Sequence, residues 1–168
     1  MNRYTVAVLV KNQFGVLNRV TSMFRRRQFN INALTVSETE SSDLSRITVV
    51  FGGEEIEKKQ LINQLYKLPD VCSIKEFEED SSVSCELLLI KMKNDTATRD
   101  DILTAAKAFG APIVEYSKDS IILRLTDTTR RIDDFINLMR DYTILEICRT
   151  GSVSLEKGST TIRQAIYL

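Results

Sequence analysis

The feature that most constrains this chain is a repeat of order. Strand, helix, strand, strand, helix and strand signals appear in the first half and again in the second. The first strands of the halves begin at Tyr4 and Glu86 and the second strands at Ile31 and Ile113, so both pairs are offset by 82 residues. The repetition is of element order and not of residue identity. Tyr4–Val10 is β-rich and apolar on both parities, which predicts a central strand whose second face is at least partly covered. Val16, Leu17, Val20, Met23 and Phe24 then fall on one helix face, closed by Arg25–Arg27, where cations suit the carboxyl end of the helix dipole. Strands follow at Ile31–Glu38 and Arg46–Phe51. A helix over Glu54–Leu68 turns Ile56, Leu61, Ile62, Leu65 and Leu68 inward, Pro69-Asp70 stops it, and Val71–Phe77 is the fourth strand.

Glu78–Ser84 is acidic and serine-rich and reads as a linker. Beyond it come a strand at Glu86–Met92 and a helix at Arg99–Phe109 carrying Ile102, Leu103, Ala106 and Phe109 on one face. A hairpin of Ile113–Tyr116 with Ile121–Leu125 follows. A helix over Thr128–Tyr142 carries Ile132, Phe135, Ile136 and Met139, and a strand at Ile144–Cys148 either breaks at Gly151 or runs on to Leu155. Two βαββαβ units, each a sheet with two helices on one face, satisfy this order and place the chain in the α+β class. The divisions expected are 1–78, a linker at 79–84, 85–158, and a tail at 159–168 that is polar at first and frays. Each unit has about 75–80 residues, is marginal alone, and is expected to lean on the other or on a second copy.

Composition removes whole classes of chemistry. His is absent, which excludes Ser-His-Asp and Cys-His nucleophiles and His-ligated zinc or haem. Lys plus Arg number 23 and Asp plus Glu 23, so no bulk positive charge points to nucleic acid. Cys72, Cys85 and Cys148 are widely spaced and read as reduced thiols in a cytoplasmic protein. The longest apolar run, Leu87–Ile90, is broken by Lys91 and is far short of a membrane span, and the amino terminus reads as a strand and not a signal peptide. No phosphate-binding glycine loop or nucleophile elbow occurs. The acidic clusters and Arg25–Arg27 read as solvated helix ends and linker.

One loop carries a chemical signal. In Lys11-Asn12-Gln13-Phe14-Gly15-Val16-Leu17, a glycine sits where a strand ends and a helix begins. The free N–H groups of such a first turn form an anion site, and glycine lets a ligand approach the backbone. Asn12 adds an amide with donor and acceptor, and Asn30-Ile31-Asn32 enters the second strand. In a βαββαβ sheet that strand is an edge, and Ile31–Glu38 has no Pro or Lys to protect it, so pairing with a second copy is expected. A free amino acid would place its carboxylate at the helix start, its ammonium on amide oxygens and its side chain against Val16, Leu17 and Ile31. Each residue also has a purely conformational reading: Gly15 and Asn12 as turn residues, Asn30 as a left-handed helix terminator.

The pattern N-x-x-G-V-L-x-R-V followed by F-N-I-x-x-L-T-V resembles the ACT domain, a small-molecule-binding regulatory module of ferredoxin-like fold. Asn12, Gly15, Val16, Leu17, Arg19, Val20, Phe24, Asn30, Ile31, Leu34, Thr35 and Val36 resemble the amino-terminal signature of acetolactate synthase small subunits. Leu44–Thr48 fits that family's S-R-[IM]-T strand, Leu65–Val71 its second helix and fourth strand, and Arg149-Thr150-Gly151 with Gly158 its carboxyl-terminal element. Gln28 departs from the family, which often has Gly there, and 159–168 matches nothing distinctive.

The resemblance implies two ferredoxin-like βαββαβ domains, an ACT domain at 1–78 and a second at 85–158. It implies a non-catalytic subunit, with no cofactor of its own, that activates a large catalytic subunit and confers feedback inhibition by L-valine. That partner would hold thiamine diphosphate, Mg²⁺ and FAD. By the same resemblance, Asn12, the Gly15–Leu17 backbone including Val16, and Asn30, Ile31 and Asn32 would bind valine where two ACT domains meet in a homodimer. The rival readings are an ACT-type amino-acid sensor serving a different enzyme and, from the sheet order alone, an acylphosphatase-like enzyme, which the lone Gly15 and the position of Arg19 a turn into the helix disfavour.

Overall fold

The computed structural model describes residues 2–164. They form two compact units: one runs through Ser84 and resumes at Ser152, and the other is Cys85–Gly151. The fold is α+β, as the repeated element order requires.

The first unit contains β1 (Asn2–Lys11), α1 (Val16–Arg26), β2 (Ile31–Glu38), β3 (Leu44–Gly53), α2 (Glu55–Leu65) and β4 (Val71–Phe77). Its antiparallel sheet has the order β2-β3-β1-β4, so β1 is central and β2 is an edge. Val6, Val8 and Val10 of β1 meet Val16, Val20 and Phe24 of α1 and Leu61, Ile62 and Leu65 of α2 in one core. Phe24 and Phe29 both pack edge-on to Phe51, with ring centroids 5.4 Å apart in each pair. A Cβ on Gly53 would lie 2.8 Å from the Phe29 ring, so this close approach needs the glycine.

The inner face of α2 differs from the expected one. Ile56 is 71% exposed and Lys58 is buried in its place. The Lys58 ammonium lies 4.5 Å above the Tyr4 ring and pairs with Glu76 at 2.6 Å and Glu55 at 2.9 Å. An apolar stem and two carboxylates make burial of this cation tolerable, which hydrophobic spacing alone does not register. Burial by itself would lower the Lys58 pKa, but the hydrogen bonds to Glu76 and Glu55 outweigh it and the net shift is upward.

In the second unit β5 (Ser82–Lys93) runs in from Ser84, followed by α3 (Arg99–Phe109), β6 (Ile113–Tyr116), β7 (Ser120–Asp127), α4 (Thr129–Met139) and β8 (Ile144–Arg149). The order β6-β7-β5-β8 repeats that of the first sheet. Ile132, Phe135, Ile136 and Met139 of α4 are all buried at their expected spacing. On α3 the buried residues are Ile102, Ala105 and Ala106, while Leu103 and Phe109 are partly covered at the core's margin. Where β8 ends, Arg149 pairs with Glu86, which is 1% exposed, and with Asp133 at 2.8 Å.

The division between units differs from the expected 85–158. Gly151 takes φ +79, the strand breaks there, and β9 (Val153–Glu156) pairs with β5, with Ser154 Oγ 2.7 Å from Ser84 Oγ. Ser82–Ser84 of the expected linker are therefore already strand, and only the short turn at 78–81 separates β4 from β5. Residues 152–164 belong to the first unit. A 3-10 turn at Ile162–Gln164 packs on β1 and β4, and Arg163 pairs with Glu40 at 2.8 Å, so this part of the expected fraying tail is anchored. The strap it forms lies on the sheet face away from the helices, where Ala7 and Leu9 are buried. This is the second-face cover that the two-parity apolarity of β1 calls for. Residues 165–168 of that tail lie outside the described residues.

Candidate functional site

The β1–α1 loop is built by backbone demands and then held by two distant carboxylates. Gly15 adopts φ +79 as the residue preceding α1, and no side chain caps the helix there. The first turn of α1 carries no acidic residue. The Val16 N–H donates to the Gln13 carbonyl at 3.3 Å, and the N–H groups that follow carry the partial positive charge of the helix start with no acidic residue in that turn to compete for it. The Asn12 backbone N–H donates to the Asp43 carbonyl at 2.7 Å. Its side-chain Nδ2 donates to Glu38 at 3.1 Å and to the Ser42 carbonyl at 2.9 Å. The amide donor expected to serve a ligand therefore braces the loop, and the amide oxygen takes part in neither of these bonds.

Arg19, one turn into α1, binds Asp70 through both Nε and Nη2 at 2.8 Å. Asp70 is buried, and its carbonyl accepts from the Lys11 N–H at 2.9 Å. The Arg19 and Asp70-Val71 motif elements, 51 residues apart, are thus one clamp that fixes the loop to the start of β4. Sequence reasoning missed Glu38 and Asp70 as supports of the loop, since Asp70 carries an equally good reading as a helix stop.

Not all of the expected site residues come together within one chain. Asn12, Gly15, Val16 and Leu17 sit near the Glu38 end of β2, whereas Asn30, Ile31 and Asn32 are at its beginning. Eight residues of strand set the two clusters roughly 23 Å apart at about 3.3 Å per residue. The Val16 side chain is 3% exposed in the core, so it offers its backbone and not an apolar wall. Leu17 is 40% exposed and can form one, while Ile31 is half-buried against the core. Asn30 and Asn32 border a hollow of about 610 Å³ with Arg3, Arg27 and Glu57. Gln28 takes φ +59, so it ends α1 in the left-handed conformation that a glycine would adopt freely. Among the described residues no group of acidic and sulfur side chains is arranged to hold a metal ion, and no helix is long and apolar enough to cross a membrane.

A βαββαβ sheet with a glycine-opened loop at the first helix defines an ACT-type regulatory domain, and comparison with known proteins agrees. Residues 6–73 match the ACT-domain model of AHAS small subunits and residues 85–158 match the model for the small subunit of acetolactate synthase. The acetolactate synthase small subunit of Mycolicibacterium smegmatis is 41% identical over 162 residues, covering 96% of this chain and 95% of that one. The Bacillus subtilis small subunit is 38% identical over 155 residues, covering 92% and 90%. The crystal structure of the Thermotoga maritima small subunit superposes with a TM-score of 0.86 at 30% identity, over 95% of this chain and all of that one. The chain belongs to the acetolactate synthase small-subunit family. It is a regulatory small subunit with an ACT domain, and its partner is the catalytic subunit of that enzyme.

Proposed function

We propose that this chain activates the acetolactate synthase catalytic subunit and makes it sensitive to feedback inhibition by L-valine. The observation that carries the reading is the uncapped start of α1 at Gly15, a site for one carboxylate, beside the Asn12 amide oxygen and the half-exposed Leu17. An amino acid with a small branched side chain satisfies all three groups. The site is completed by a second copy. If two β2 edges pair antiparallel about a two-fold axis, the start of one β2 lies beside the end of the other. The Asn30–Asn32 segment of one copy then reaches the Asn12–Leu17 loop of the other, which closes the roughly 23 Å gap within a single chain. The ACT domain at 1–78 thus dimerises and binds effector, and the second domain serves the catalytic subunit. That subunit holds the thiamine diphosphate, Mg²⁺ and FAD, and the complex is cytoplasmic.

Burial of a methylene is worth about 0.8 kcal/mol, so selectivity for valine over alanine is roughly tenfold or somewhat more, and larger side chains are rejected by steric exclusion. Inhibition requires valine to favour one conformation of the complex, with a coupling of about 1–3 kcal/mol. The test is reconstitution: adding the chain to the purified catalytic subunit raises its rate, and valine then lowers it. No rate change on mixing, with complex formation demonstrated, overturns the activation. A rate insensitive to valine overturns the sensing.

A further inference from the structure

The outer face of the first sheet carries a cation that the fold leaves without a counter-charge. The strand register sets Ser37, Arg46 and Leu9 in one row across β2, β3 and β1, on the face away from the helices. Beneath the strap at 152–164 a cavity of about 460 Å³ opens over this row, with Leu9, Phe77 and Ile162 as apolar wall. Lys75 at its margin pairs with Glu156 at 2.8 Å, and Arg163 pairs with Glu40 at 2.8 Å. Glu38, next to Ser37 on β2, turns its side chain to the helix face and accepts from Asn12, so it supplies no counter-ion here. Arg46 has no ionic partner within 4.0 Å among the described residues. Its half-buried guanidinium lies 5.5 Å over the Phe77 ring and donates to the Ser154 carbonyl, which occupies one of its five N–H donors. Burial lowers its pKa from the ordinary arginine value, yet the group remains a cation. Arg46 belongs to the S-R-I-T strand motif, and the loop site does not use it.

A single unpaired cation with open donors beside apolar wall is the complement of an anion with one negative charge and an apolar body. The planar fork of a guanidinium suits a carboxylate, which it can hold through two parallel bonds. An ammonium would enter this cavity without a partner, because Glu40 and Glu156 are already paired and Glu38 faces the other way, so it would lose its hydration uncompensated. A phosphate dianion would bring a second charge that neither Lys75 nor Arg163 is free to meet. The volume lies within the range of small-molecule sites. The geometry points to a binding site beneath the strap for a small aliphatic monocarboxylate without an ammonium group, its carboxylate on Arg46 and its apolar end against Leu9, Phe77 and Ile162. The site lies within the first unit of one chain, needs no second copy, and does not depend on the loop site being correct.

The experiment is calorimetry of the full chain with the 2-oxo acid that corresponds to valine, with the neutral amide of that acid, with inorganic phosphate and with L-valine. The 2-oxo acid binds saturably, and Gly15→Asp, which removes the loop site, leaves one equivalent of it per chain. The amide and phosphate bind more weakly than the acid, as does valine in the Gly15→Asp chain. Arg46→Gln weakens binding of the 2-oxo acid about tenfold or more. Ile162→Trp fills the cavity from the strap and also weakens it, and this variant decides the matter should Arg46→Gln fail to fold. Absence of saturable binding of the 2-oxo acid overturns the proposal, as does an affinity that folded Arg46→Gln or Ile162→Trp leaves unchanged, or that the amide or phosphate matches. Binding that Gly15→Asp abolishes and Arg46→Gln spares belongs to the loop and overturns it too. Failure of the loop site reads differently: Gly15→Asp would then leave the affinity for valine unchanged, whatever the 2-oxo acid does.

Discussion

Replacing Gly15 by Asp separates strain from electrostatics at the effector loop. Gly15 holds φ +79 and ψ −4, and an L-residue there costs about 1–2 kcal/mol, with Asp among the more tolerant types. The new Cβ would meet Arg19 Nη1 at 3.3 Å, the end of a flexible side chain that can give by a few tenths of an ångström. The variant therefore loses about 1–2 kcal/mol of stability and still folds. Binding suffers more. A carboxylate at the start of α1 would face the effector carboxylate at about 4 Å, and at an effective dielectric constant of about 20 the repulsion is about 4 kcal/mol. That corresponds to roughly a thousandfold loss of valine affinity, while activation stays largely intact because the loop fold survives. Gly15→Ala carries the strain without the charge and should weaken binding by less than about tenfold. Calorimetry with valine and the valine response of the reconstituted enzyme measure both variants. A folded Gly15→Asp chain whose loop-site affinity stays within about threefold of wild type refutes the assignment of the carboxylate to this helix start.

Light scattering at tens of micromolar should show a dimer, and Val36→Lys, on the β2 edge where Val36 is 42% exposed, should shift it to monomer; a monomeric wild type refutes the edge pairing. Arg149→Met strands Glu86, which is 1% exposed, and should cost about 3 kcal/mol in urea unfolding; a loss below about 1 kcal/mol would show that Glu86 finds another partner. Gln28→Gly removes left-handed strain at φ +59 and should stabilise the chain by about 0.5–1 kcal/mol, less than the full strain because glycine also frees the unfolded chain. Lys58→Met tests pH linkage. The hydrogen bond from Lys58 is the leading cause that holds the Glu55 carboxyl below its ordinary 4.5, so that contribution is present above 4.5 and is lost as pH falls through the lowered value. The Lys58 pKa is raised above its ordinary 10.5, so its contribution holds below 10.5 and is lost at more alkaline pH. The stability difference between wild type and variant should be flat between these limits and shrink outside them, and a difference that does not shrink in acid excludes the ion pairs as its source.

The parts of the fold legible in the sequence are those written in local periodicity. Ile31–Glu38, Val71–Phe77, Arg99–Phe109 and Ile113–Tyr116 begin and end where spacing and turn residues place them, because each is fixed by its own alternation or its own breakers. The apolarity of β1 on both parities also announced that something must cover the outer face. What covers it was not legible, since Leu155 and Ile162 sit in a segment too polar to show a period and are placed by pairing with Ser84, Lys75 and Glu40. The candidate site divides along the same line. Gly15 is visible because a left-handed turn into a helix leaves a local mark, but Glu38 under Asn12 and Asp70 under Arg19 are contacts across 26 and 51 residues, to which hydrophobic spacing is blind. Charge placement explains the one inverted helix face, where Lys58 turns inward and Ile56 outward because Glu55, Glu76 and the Tyr4 ring complete the lysine's environment.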